Sequence, residues 1–154
     1  MEKNELSSVF NAKILERARF GKTDVPLFWV EQDSLVALAR SLRTDPEISI
    51  DWLENLSVMQ VDEILVVTWF LRSRTGRKRL VLRSTVVPAN ANEAADLPSL
   101  AEVWPEASLM EREASEMFGI RFGGREIPRR ILPRGFIGFP LRKSYVLEGR
   151  SGNA

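Results

Sequence analysis

Glu111 and Glu113 stand two residues apart in the run Glu111-Arg112-Glu113-Ala114-Ser115-Glu116, and paired carboxylates are the usual equipment of acid–base hydrolysis. The spacing works against that chemistry. Residues two apart on a helix point in different directions, so these carboxylates do not converge on one substrate. The rest of the chain offers little more, because it contains neither cysteine nor histidine. That removes thiolate nucleophiles, disulfides, iron–sulfur ligation, nearly every transition-metal site and the commonest neutral-pH base. Carboxylates, hydroxyls and lysines such as Lys143 remain. A small stand-alone enzyme using them is one reading, which turnover by the purified chain would support. The sequence predicts no catalytic site of its own, no metal and no cofactor.

Ion pairing is the other chemistry open to these residues: Glu111, Arg112, Glu116 and the C-terminal arginines would lock the C-terminal segment to the helix, or subunit to subunit, as bidentate pairs, unless they form a solvated helix face. Lys and Arg number 22 against 21 Asp and Glu, a formal net charge of +1, so no global field points to nucleic acid or an anionic membrane. The C-terminal fifth is nevertheless basic: Arg121, Arg125, Arg129, Arg130, Arg134, Arg142, Lys143 and Arg150 face only Glu126 and Glu148. Arg72, Arg74, Arg77, Lys78, Arg79 and Arg83 surround a second basic site, a turn. A small nucleic-acid-binding module would present such a hairpin, but stacking aromatics are not interleaved with it. Charges protecting a sheet edge are the simpler reading.

The elements that position these residues follow from periodicity. Leu6, Phe10, Ile14 and Ala18 share a face at helical spacing, which predicts an amphipathic helix over Leu6–Phe20 ending near Gly21. Pro26–Val30 reads as a strand. A helix capped by Asp33 or Ser34 carries Leu35, Leu38, Ala39 and Leu42 until Asp45-Pro46 stops it. Ile48–Met59, Glu63–Arg72 and Arg79–Val87 read as a strand meander, the last two joined through Arg74-Thr75-Gly76-Arg77. A short helix at Leu97–Val103 and a second at Pro105–Phe118 follow, the second closed by Gly119. Trp29, Trp52, Trp69 and Trp104 read as core or interface residues. No apolar run approaches the ~20 residues of a membrane span, and Met1–Glu5 lacks the start of a secretory signal.

Beyond Gly119, glycine and proline recur too densely for long helices or central strands, yet the segment is too apolar for a disordered tail. It folds back on its own domain or lies over a partner as an arm. Phe118, Phe122, Phe136 and Phe139 are its candidate anchors.

Three motifs in this half carry a resemblance. Glu111-Arg112-Glu113 with Glu116-Met117-Phe118-Gly119-Ile120, Arg129-Arg130-Ile131-Leu132, and Gly138-Phe139-Pro140-Leu141-Arg142-Lys143 resemble, in order and spacing, the signature of the thirty-kilodalton subunit family of complex I. Trp104 matches a tryptophan that the family tends to carry before the helix. The match covers roughly residues 104–147. The chain departs at Ser115, where the family has an aromatic, at Glu116 (Asp), at Arg125 (His) and at Ser144 (an acid), so the contacts made there differ.

The resulting expectation is an α+β fold: a mixed or antiparallel sheet of about four to five strands packed with helices over residues 1–119, then an extended partner-binding arm over 120–154. The resemblance implies a non-catalytic peripheral-arm subunit of an NADH:quinone oxidoreductase, without flavin, nucleotide or cluster. It would sit on the cytoplasmic face, docked on the large quinone-site subunit and beside iron–sulfur subunits. The equivalent subunit of an energy-converting hydrogenase is the alternative. Glu111, Arg112, Glu113, Arg130, Leu141, Arg142 and Lys143 would carry the interface, with Gly119, Gly138 and Pro140 setting backbone shape.

Overall fold

Ile-Leu-Val-Val-Thr-Trp-Phe-Leu-Arg, residues 64–72, is apolar or β-branched almost throughout, the composition of a strand covered on both faces. In the computed structural model it lies inside a five-stranded sheet. The structure describes residues 13–20, 23–75 and 77–146, with side chains from residue 25. The elements are β1 (Lys13–Phe20), β2 (Thr23–Trp29), α1 (Gln32–Thr44), β3 (Trp52–Val61), β4 (Ile64–Arg72), β5 (Arg79–Val86), β6 (Ala95–Leu97), α2 (Ala107–Phe118) and β7 (Ile120–Phe122).

The sheet order is β1-β2-β5-β4-β3. All pairs are antiparallel except β2 with β5, where Leu27 lies opposite Val81 in parallel register. The side chains of β4 alternate between the two faces. Leu65, Val67, Trp69 and Leu71 share the main core with Leu35, Leu38, Ala39 and Leu42 of α1. On the opposite face Val25, Leu27 and Val81 form a smaller cluster with Trp29 and Phe70. Trp104 is fully buried, and its indole N–H donates to the Ile50 carbonyl at 3.0 Å. This is the α+β fold expected, a mixed sheet carrying helices.

Two expected helices are not found. Lys13–Phe20 is a strand paired with β2, with a bulge between Ile14 and Glu16; the earlier part of that expectation lies outside the described residues, as do Gly21, Gly76 and residues 147–154. Leu97, expected to open a helix, ends β6 and pairs with Phe122 of β7. A tight turn follows, with the Val103 and Trp104 N–H groups both donating to the Leu100 carbonyl. Parallel pairing with a strand that lies beyond α2 in the chain overrides local helix propensity here. Ile120 and Phe122, expected to begin the arm, are therefore core residues, 0% and 2% exposed.

Candidate functional site

A chain segment without helix or strand leaves its backbone groups to find other partners. Residues 123–146 solve this with charged side chains. α2 ends at Gly119, whose φ of 71° closes the helix with its N–H on the Ser115 carbonyl. A Cβ at Gly119 would lie 2.5 Å from the Phe139 ring, so glycine both makes the left-handed turn and admits that ring. Under the ring, 4.5 Å from its centre, sits the Arg142 guanidinium. It donates to the carbonyls of Phe118 (2.6 Å), Glu93 (2.7 Å), Ala91 (2.8 Å), Gly119 (3.1 Å) and Asn90 (3.2 Å). Two of these are the orphan carbonyls at the negative end of α2. Arg142 is 4% exposed and makes no ion pair among the described residues; burial lowers its pKa from the usual guanidinium value.

Glu116 is the matching anion. It is 2% exposed, and its carboxylate accepts the backbone N–H groups of Arg130, Ile131 and Leu132 at 2.7–2.8 Å. Burial alone would raise its pKa, but these three N–H bonds outweigh it and hold the carboxyl below the ordinary glutamate range. Arg142 and Glu116 thus pin the segment 123–146 to α2 and to the loop 90–93.

Glu111 is likewise internal. Its carboxylate accepts Ser99 Oγ–H at 2.6 Å and the Leu100 N–H at 2.7 Å, and burial raises its pKa despite both bonds. Gln at 111 can keep both contacts, accepting from Leu100 N–H and donating to Ser99 Oγ, without a buried charge. Glu111→Gln is therefore expected to leave stability within about 1 kcal/mol of the parent at neutral pH, whereas Glu111→Ala lowers it by about 2 kcal/mol. Thermal unfolding of both variants checks this. A glutamine variant as unstable as the alanine one would contradict the assignment.

The expected interface residues therefore divide. Glu111 and Arg142 are struts, with no side-chain surface to offer a partner. Arg112 is half-buried, and its Nε is without a hydrogen-bond partner. Gly119 and Gly138 have positive φ, and Pro140 is half-buried. Glu113, Arg130, Leu141 and Lys143 are exposed. The most exposed apolar side chains of the segment, Ile137 at 87% and Val146 at 77%, were not among the residues expected at the interface. Phe136, by contrast, stacks on Tyr145 with ring centres 5.8 Å apart. Arg125, Arg130, Arg134 and Lys143 make no ion pair among the described residues.

The basic hairpin differs. Arg72 and Arg79 both reach Glu54, Arg74 binds Asp51 at 3.0 Å and lies over Trp52, Lys78 bonds the Glu47 carbonyl, and Arg83 bonds Thr68 Oγ1 beside Trp29. Those cations are engaged within the fold, which leaves little for phosphate. Among the described residues no acidic group is arranged to hold a metal, and no helix is long and apolar enough to cross a membrane.

Fold and site together define a small α+β domain that straps an irregular C-terminal segment to itself through buried charges and turns a cationic, apolar surface outward. The chain belongs to the family described as respiratory-chain NADH dehydrogenase, 30 Kd subunit, which residues 28–151 match. It is 36% identical to the C subunit of NADH-quinone oxidoreductase from Roseiflexus sp. (strain RS-1) over 151 residues, covering 89% of this chain and 84% of the relative. With the same protein of Roseiflexus castenholzii the identity is 38% over 122 residues, 77% of this chain and 68% of that one. Two solved structures share the fold. A trypsin-resistant fragment of Nqo5 aligns with a TM-score of 0.56 at 20% identity, over 80% of this chain and 94% of the fragment. A chain of an archaeal membrane-bound sulfane sulfur reductase aligns with a TM-score of 0.61 at 13% identity, over 80% and 69%.

Proposed function

We propose that this chain serves a complex I-like NADH:quinone oxidoreductase as its thirty-kilodalton-type subunit, adding no chemistry of its own and docking on the quinone-site subunit through the outer surface of residues 123–146. Electron transfer and the ion translocation coupled to it take place on other chains, while this one holds its neighbours in place and keeps water from the contact. The observation that carries the docking is the pairing of exposed apolar side chains, Ile131, Ile137, Leu141 and Val146, with unpaired cations on a segment fixed from beneath. Ordering such a segment only on binding would cost affinity, and the internal straps remove that cost. Apolar anchors rimmed by Arg and Lys suit a partner surface with apolar pockets and acidic edges. The names of the relatives favour a respiratory assembly over a hydrogenase-type one, and attachment at the cytoplasmic face would come through the complex.

The double exchange Leu141→Asp, Lys143→Glu tests the docking. Both side chains are exposed, so the melting temperature is expected to stay within a few degrees of the parent. Co-purification of a tagged full-length chain with the iron–sulfur and quinone-site subunits under mild detergent is expected to fall at least about tenfold. Retention of those partners by the variant at moderate salt would place the interface elsewhere.

A further inference from the structure

A strand at the end of a sheet shows a row of unpaired N–H and C=O groups, and natural edges are normally blunted with charge, proline or a bulge. β3 is such an edge, and its stretch Asn55-Leu56-Ser57-Val58-Met59-Gln60-Val61 carries neither charge nor proline. Its one bulge, between Leu53 and Asn55, lies at the start of that stretch. Among the described residues no strand pairs with its outer side. Met59 is 53% exposed and Val61 44%. Beside the edge runs a cleft of about 260 Å³ between β3, α2 and the strapped segment, lined by Leu56, Val58, Met110, Met117 and Leu141 together with Glu113. Glu113 is exposed and makes no ion pair among the described residues.

We infer that the open edge of β3 and this cleft receive an extended segment of another polypeptide, added as a sixth strand, apolar at alternate positions and carrying a basic residue opposite Glu113. The backbone of such a segment satisfies the open edge, and every second side chain enters the cleft. The edge is roughly 23 Å long, room for about seven residues. A second copy of this chain fits less well. Two-fold pairing of β3 with itself sets identical patches against each other, and the incoming strand, residues 55–61, then carries no basic residue to place opposite Glu113. The inference rests on the chain being an assembly subunit; the open edge adjoins the strapped segment, whose Leu141 lines the same cleft and whose Lys143 N–H donates to Gln60 Oε1 at 2.8 Å.

Hydrogen exchange, read by mass spectrometry on peptides covering 55–61 and 123–146, tests it on the isolated full chain and on the chain in its native assembly. Amides in 55–61 are expected to exchange at least about tenfold more slowly in the assembly. Glu113→Lys should reduce that protection while leaving residues 123–136, which do not line the cleft, unaffected. Equal exchange at 55–61 in both states, with 123–146 protected in the assembly, overturns the edge site and leaves the subunit reading standing. A chain that retains no partner overturns both. Protection at 55–61 that grows with the concentration of the isolated chain names a second copy as the occupant, and protection indifferent to Glu113→Lys refutes the basic residue; either overturns the proposal as stated.

Discussion

Replacing Arg142 with methionine is expected to lower stability by about 3–4 kcal/mol. The stem is nearly isosteric, so the loss is of donors rather than volume. Five carbonyls from two separate stretches of chain share this guanidinium, and each one left buried without a donor costs on the order of 1–3 kcal/mol. Opening the segment lets water reach most of them, which caps the total. At about 2–4 °C per kcal/mol for a domain of this size, the melting temperature should fall by roughly 10 °C. Lysine restores little, because one ammonium has three donors and no planar fork to span the set. Trypsin should also cut faster at Arg129, Arg130 and Arg134 in the variant. A drop below about 1 kcal/mol would show that the carbonyls find other donors. Loss of assembly after Arg142→Glu would accordingly report release of the segment rather than a broken contact.

Glu116→Gln is expected to cost about 2–3 kcal/mol, felt as local opening of 123–146 rather than global unfolding. A carboxylate accepts all three N–H groups of residues 130–132, whereas a carboxamide has one oxygen and turns a donor toward the rest. Amide exchange at 130–132 is the direct readout. The pH dependence has a definite sign. Because the folded-state pKa of Glu116 lies below its ordinary value of 4.5, the stabilisation is complete above that value and is lost as pH falls through the folded pKa. Glu111 acts in the opposite sense: its raised pKa makes the ionised form the costly one, so its penalty is relieved as pH falls. The difference between parent and Glu116→Gln isolates the first effect and should vanish in acid. A difference that persists unchanged well below pH 4.5 would contradict the three-bond assignment.

The sheet and helices were legible where one period dominated. Glu63–Arg72, Arg79–Val87 and Pro105–Phe118 fall within a residue or two of β4, β5 and α2, and Gly119 marked the cap by its type alone. Lys13–Phe20 was not legible, because Ile14 and Ala18 stand four apart, a spacing that fits helix and strand alike, and the bulge after Ile14 breaks the alternation that would have decided it. At Leu97 the deciding partner, Phe122, was too far along the chain for any local pattern. For the site, the three motifs identified the family but not what their charges do. Glu111, Glu116 and the segment's arginines read as a solvated face or as ion pairs locking the segment to the helix or subunit to subunit; their burial against backbone N–H and C=O groups was not legible, since ionisable groups are rarely buried. A usable signal was present: a glycine- and proline-rich segment with no ladder of its own needs donors and acceptors from somewhere, and charged side chains set among its apolar residues are the available source.

The parallel pairing of β2 with β5 has a consequence for how the chain is made. Leu27 lies opposite Val81, so roughly fifty further residues must leave the ribosome before the β1–β2 hairpin can join the sheet. At about 5–20 residues per second that is a wait of roughly 3–10 s. The β3-β4-β5 meander, by contrast, closes from neighbouring segments within a short stretch of chain. Synthesis thus leaves an early hairpin with apolar Val25 and Leu27 uncovered, a natural substrate for a chaperone that binds nascent chains.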